Sequence, residues 1–185
     1  MISENDFGIT ENGVIRKYTG KAITIPQEIR GIAVQLIVGN HSSSLKGLTE
    51  VTIPNSMTET GYYVFAKNQL AGLVIPKSIM EISENAFSYN RLTALVIQEI
   101  VTKIGAYAFQ YNQLVNVVIL NSVTKISIGA FMGNQLNTIT ILGKVSLPRK
   151  NLIPAFGRNF EDFHISNNKR SRTYLFDGKD WSIKE

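Results

Sequence analysis

Hydrophobic residues recur along this chain at a fixed interval. Leu48, Leu70, Leu92, Leu114 and Leu136 are spaced by 22 residues. Phe65, Phe87, Phe109 and Phe131 keep the same spacing, and so do Asn68, Asn90, Asn112 and Asn134. Three ladders with one period define a 22-residue unit, repeated four times and begun a fifth. With Leu48 as position 1, the cleanest copy alternates Leu92, Leu95 and Ile97 with Thr93, Ala94 and Val96. That pattern predicts a short strand with one apolar face turned inward. Pro54 and Pro76 at position 7 end the strand and turn the chain. Position 10 (Met57, Ile79, Val101, Val123) and position 13 (Thr60, Ile82, Ile104, Ile126) predict a second inward-facing stretch on the opposite wall. The pairs Ala86-Phe87, Ala108-Phe109 and Ala130-Phe131, with Val64-Phe65 in the first copy, follow. Their Phe is read as interior filling and their Ala as permitting a tight helical turn.

One such coil cannot bury its own apolar face. Stacked coils bury it against each other at about 4.8 Å per coil, the spacing of paired strands. The fold expected is therefore a solenoid of 22-residue coils, mainly short parallel β-strands with brief helical turns, capped at both ends. The Asn68, Asn90, Asn112 and Asn134 column closes the turn before each strand, its amides bonding backbone groups of the same and the adjoining coil. Three segments follow: 1–47 as N-terminal cap and irregular first coil, 48–142 as the repeats, and 143–185 as a C-terminal cap. The first coil is long, with Ile25 to Ile53 spanning 28 residues, and places His41-Ser-Ser-Ser where Ala-Phe is expected. Phe7, Ile9, Val14 and Ile15 are available to cover that end. In the C-terminal cap, Ala155-Phe156 echoes the repeat, and Phe160, Phe163, Ile165, Tyr174, Phe176 and Trp181 supply an aromatic cover. Asp177-Gly178 between two apolar runs predicts a hairpin turn. Lys169, Arg170, Arg172 and Lys179 are expected on an edge strand that blunts end-to-end stacking.

Leu48-Thr-Glu-Val-Thr-Ile-Pro-Asn-Ser-Met and Ile82-Ser-Glu-Asn-Ala-Phe resemble the BspA-type leucine-rich-repeat family of bacterial surface proteins, relatives of the treponemal repeats. Asn12-Gly13-Val14-Ile15, Ile23-Thr-Ile-Pro26 and the tail from Asn167 to Trp181 resemble its lead-in and closing pieces. Thr60, and Gln98-Glu99 and Leu120 in place of proline turns, depart from its pattern. The resemblance implies a leucine-rich-repeat solenoid that is secreted or displayed on a cell surface. It further implies an adhesin-like, protein-binding role toward host matrix or cell-surface proteins.

Composition narrows the chemistry. There is no cysteine, hence no disulfide, thiolate metal site or cysteine nucleophile, in a composition equally at home outside the cell and in the cytoplasm. Met1 to Asp6 is polar and acidic, without the basic start and apolar run of a secretory signal. No apolar run approaches the length of a membrane span, so no membrane insertion is expected. The net charge of +5 is concentrated in the tail, with 9 Lys/Arg against 5 Asp/Glu in residues 143–185 and 5 against 5 in residues 48–142. A chain tracking phosphates along its repeats would carry the basic charge there, so no nucleic-acid partner is expected. His41 and His164 are the only histidines, and no motif joins either to a nucleophile or a metal ligand. Gly143-Lys144-Val145 lacks the rest of a phosphate loop. Neither an enzyme, a metal nor a cofactor is expected.

Binding candidates remain. Outward strand positions read Thr52, Val74, Val96, Val118 and Thr140 at position 5, with Ala94 and Asn116 at position 3. This small, apolar, almost uncharged stripe is a candidate partner-binding site on the concave strand face. It reads equally as strand propensity or as a self-associating face of a structural spacer. Tyr89 and Tyr111, with Tyr62, Tyr63 and Tyr107, are candidates for recognition or for packing between turns. Together with Lys169, Arg170 and Arg172 they form a possible glycan or anionic-polymer surface, the basic group reading otherwise as a solvated cap loop.

Overall fold

The computed structural model describes residues 7–18, 22–37, 47–148, 154–157, 160, 164 and 172–184. The N-terminal part holds β1 (Phe7–Ile9), β2 (Val14–Tyr18), β3 (Ala22–Thr24), β4 (Glu28–Ile29), β5 (Ile32–Ala33) and β6 (Leu36–Ile37). The repeats contribute β7 (Glu50–Thr52), β8 (Gly72–Val74), β9 (Glu81–Ile82), β10 (Ala94–Val96), β11 (Lys103–Ile104), β12 (Asn116–Ile119), β13 (Lys125–Ile126) and β14 (Thr138–Ile141). β15 (Arg172–Phe176) and β16 (Trp181–Ile183) close the chain.

Two walls enclose the core. On the first, β3 pairs with β7, β8 with β10 and β12 with β14, all parallel. On the second, β9, β11 and β13 form one parallel sheet. Equivalent positions face each other, as in Leu73 with Leu95 and Ile82 with Ile104 and Ile126. A one-residue slip would turn every inward side chain outward, so the burial of positions 4, 6, 10 and 13 sets this register. Among the described residues, β7 and β8 share no hydrogen-bonded ladder, and at a second such step neither do β10 and β12. The stack holds across that step through its interior: the Phe87 and Phe109 rings stack at 5.6 Å, and Leu92 N–H donates to Asn112 Oδ1 at 3.0 Å.

The Ala-Phe segments are single hydrogen-bonded turns, as in Ala86 N–H to Ser83 O at 3.3 Å. Their Phe N–H groups form a third ladder between coils: Phe65 to Ala86 O at 2.9 Å, Phe87 to Ala108 O at 2.9 Å and Phe109 to Ala130 O at 2.8 Å. Phe65, Phe87, Phe109 and Phe131 are buried and stacked along the axis, and Phe156 continues the column 5.2 Å beyond Phe131.

Each turn is bracketed by two residues in the left-handed region. Tyr63, Asn85, Tyr107 and Gly129 precede it, and Lys67, Tyr89, Tyr111 and Gly133 follow it, with φ between 51° and 73°. Only glycine adopts this conformation freely. At Gly129 and Gly133 a Cβ would also run into the rings of Tyr107 and Tyr111.

The asparagine column behaves as its spacing predicts. Asn90 Oδ1 accepts from Leu70 N–H at 3.1 Å, while its Nδ2 donates to Phe65 O at 2.8 Å and Phe87 O at 3.0 Å. Asn112 and Asn134 repeat this one and two coils on, and Asn68 bonds Leu48 N–H and its own turn. Thr60, standing where later coils have Ile, is buried and accepts from Ser83 N–H at 2.8 Å.

The long first coil absorbs its extra residues in the antiparallel β4–β5 hairpin, turned by Arg30 and Gly31 at φ 53° and 78°. β3 therefore stays in line with β7 despite the insertion. β1 and β2 are antiparallel, β2 runs parallel to β6, and Ile9 and Ile15 pack on the core. The Phe7 side chain, His41 to Ser44, Phe163 and Ile165 lie outside the described residues.

At the other end, β15 and β16 form the expected hairpin about Asp177-Gly178, with Phe176 opposite Trp181. One expectation is corrected: Arg172 is not on an edge strand. β15 pairs antiparallel with β14 on one side and with β16 on the other, so β16 is the edge. The hydrogen-bonding edge of β14 draws the hairpin in, because its N–H and C=O groups would otherwise end the sheet unpaired. Lys169 and Arg170 lie outside the described residues.

Candidate functional site

The first wall carries an open hollow of about 940 Å³ over β7, β8 and β10. Its lining includes Thr52, Val74, Ala94 and Val96, four of the residues singled out in the sequence, together with Gly72 and Lys77. The cause is the residue set at position 3. Gly72 has no side chain, and a Cβ there would meet nothing within 4 Å, while Ala94 on the next coil contributes one methyl. Between these small residues and the taller Val74 and Val96, the sheet face sinks locally.

Both valines are held outward by the strand alternation that buries Leu73 and Ile75 beside Val74 and Ile97 beside Val96. Val74 is 62% exposed and Val96 50%. Exposed β-branched side chains on a backbone pinned by parallel pairing form an ordered apolar surface. Lys77 and Gln98 rim the hollow, and both also line a second one of about 600 Å³ reaching Ile100 and Leu120.

The remaining stripe residues do not join the hollow. Val118 and Asn116 are exposed on β12, beyond the step where β10 and β12 are unpaired. Thr140 is half-buried, its hydroxyl 2.9 Å from that of Thr173 on β15. The C-terminal hairpin covers that end of the stripe. Sequence reasoning passed over Gly72 and Lys77 as site residues; the small residue at position 3 beside an exposed Val was the available signal.

The tyrosines are arranged along the stack. Tyr89 and Tyr111 are about half exposed, with ring centroids 4.8 Å apart and a tilt of 33°. Tyr111 lies against Gly133 and Tyr107 against Gly129. Tyr89 and Tyr111 thus meet between coils while staying about half exposed, and Tyr62 is exposed.

In the cap, His164 Nδ1 lies 2.6 Å from the Tyr174 hydroxyl, both buried among Phe160 and Trp181. Burial pushes the Tyr174 phenol above its ordinary range, opposed by the nearby Arg172. The exposed Asp177 carboxylate is held below its usual range by the Asp180 and Lys179 N–H groups, which donate to it at 2.9 and 2.8 Å.

Parallel two-walled coils of 22 residues, with an asparagine ladder and a phenylalanine column, define a leucine-rich-repeat solenoid. The BspA type leucine rich repeat region matches residues 36–152 in six copies, and the chain belongs to that family. Among solved structures, the chain is similar to a leucine rich cell surface protein from Faecalibacterium prausnitzii A2-165. That likeness has a TM-score of 0.37 and 18% sequence identity, and covers 96% of this chain. The chain spans 58% of the length of that structure. No curated protein sequence matches it at a significant level.

Proposed function

We propose that this chain is a non-catalytic, protein-binding repeat module of a secreted or surface-displayed bacterial protein, and that it takes its partner in the first-wall hollow. The observation that carries the reading is the pair Val74 and Val96, fixed outward over a floor of Gly72 and Ala94. Removing such apolar area from water contributes roughly 25 cal/mol per Å². A rigid sheet loses little conformational entropy on binding, so more of that gain is kept. The partner fitting this surface is a protein presenting an apolar side chain to the hollow, with a polar rim for Lys77 and Gln98.

The test is binding of the purified chain to immobilised fibronectin, fibrinogen and laminin and to whole host cells, beside Val74→Lys/Val96→Lys. Saturable binding that the double variant loses, with its thermal melt unchanged, is the expected result. Equal binding by both proteins, or none by the parent chain, overturns the assignment.

A further inference from the structure

The second wall carries an ordered set of charges. Position 12 is Glu59, Glu81, Lys103 and Lys125 on successive coils, all exposed. Backbone pairing aligns each with the next: Glu59 with Glu81, Glu81 with Lys103, Lys103 with Lys125. The inner two form a salt bridge at 2.5 Å. Among the described residues, Glu59 and Lys125 have no ion-pair partner, and each has a like charge one coil away, Lys125 being bridged on its other side to the uncharged Ser146. Like charges one coil apart, about 4.8 Å, repel, and strand pairs ordinarily avoid them. Acid, acid, base, base is a column that complements itself when reversed.

The surface beside it accommodates contact. Position 11 is Thr58, Met80, Thr102 and Thr124, with Met80 51% exposed. Thr102 and Thr124 donate their hydroxyls to the carbonyls of Met80 and Thr102, each at 3.2 Å, so both are satisfied within the wall.

We propose that the second wall is a homodimer interface, on which a second copy of this chain lies face to face with its stack direction reversed. Two choices of two-fold axis lie in the plane of such an interface. An axis along the stack sets Glu59 on Glu59 and Lys125 on Lys125, like on like. An axis along the strands reverses the coil order. Glu59 then faces Lys125 of the second copy, Glu81 faces Lys103, and Met80 lies over Thr102. Every charge in the column meets its complement, including the two that have no ion-pair partner among the described residues. The first wall stays open on both copies, and the dimer presents two hollows, a bivalent arrangement if the hollow binds. The dimer itself stands on the second wall alone.

Charge exchange tests this directly. Sedimentation velocity on the whole chain at low salt is expected to show a monomer–dimer equilibrium. That equilibrium weakens at least about tenfold as the Debye length falls from about 30 Å at 0.01 M to about 3 Å at 1 M salt. Glu59→Lys and Lys125→Glu should each abolish the dimer, because each sets like charges against the second copy. Glu59→Lys/Lys125→Glu should restore it, and so should an equimolar mixture of the two single variants. Exposed positions make misfolding no refuge, and unchanged melts check it. A parent chain that sediments as monomer throughout overturns the proposal. So does a dimer indifferent to both single exchanges, or one that neither restoration recovers. Val74→Lys/Val96→Lys should leave the dimer intact, which separates its fate from that of the hollow.

Discussion

At the scale of single residues, the coil is joined to its neighbours by a few side chains with several bonds each. Asn112 accepts from Leu92 N–H and donates to carbonyls of two successive turns. Replacing it by alanine strands those groups in a buried site. Asn112→Ala should cost on the order of 1–3 kcal/mol in a urea melt; a change of a few tenths would show that water serves these groups as well as the amide. Glycines at positive φ differ in what surrounds them. At Gly157 (φ 78°) a Cβ meets nothing within 4 Å, so alanine there costs only the left-handed backbone, about 1–2 kcal/mol. At Gly129 (φ 61°) the same Cβ also enters the Tyr107 ring. Gly129→Ala should therefore lower the melting temperature more than Gly157→Ala, and Tyr107→Ala in the same chain should recover part of the difference.

At the scale of elements, the C-terminal hairpin decides where the solenoid ends. It turns the parallel wall into an antiparallel edge and brings Tyr174 and Trp181 onto Phe160, which meets the end of the phenylalanine column edge-on at Phe156. Asp177 holds its turn as a carboxylate. Its pKa is depressed in the fold, so its contribution to stability is present above the ordinary value of about 3.9 and is lost as pH falls through the lower folded value. Asp177→Ala should thus melt earlier than the parent near neutral pH, and the gap between the two melts should close as acid protonates the parent. A gap that persists in acid would mean that the hydrogen bonds survive protonation, or that the substitution acts through the turn's backbone instead.

At the scale of the whole molecule, two faces do different work in the proposed reading: an apolar hollow on one wall and a self-complementary charge column on the other. Salt separates them, because burial of Val74 and Val96 depends little on ionic strength while exposed charge pairs are screened. Val118→Lys makes the finer distinction. Val118 is 48% exposed but lies beyond the hollow, so this variant should retain the partner binding that Val74→Lys/Val96→Lys loses. Loss in both would widen the site to the full stripe.

The repeat, the inward positions, the asparagine ladder and the hairpin turn were legible in the sequence, because each follows from local periodicity or turn chemistry repeated at a fixed interval. Stacking then imposes the same environment on every copy, so a column of Phe or Asn in the sequence becomes a column in space. The stripe Thr52, Val74, Val96, Val118 and Thr140 was equally legible as a list, but not as a surface. Tertiary structure divided it, gathering Thr52, Val74 and Val96 over the gap left by Gly72, isolating Val118 and tucking Thr140 under β15. It likewise set Tyr89 against Tyr111 along the stack and moved Arg172 from an expected edge to an interior strand. These outcomes depend on which side chain stands beside which across coils and on where the last strand finds an unpaired edge. Period alone carries neither, since both arise from contacts between residues far apart in the chain.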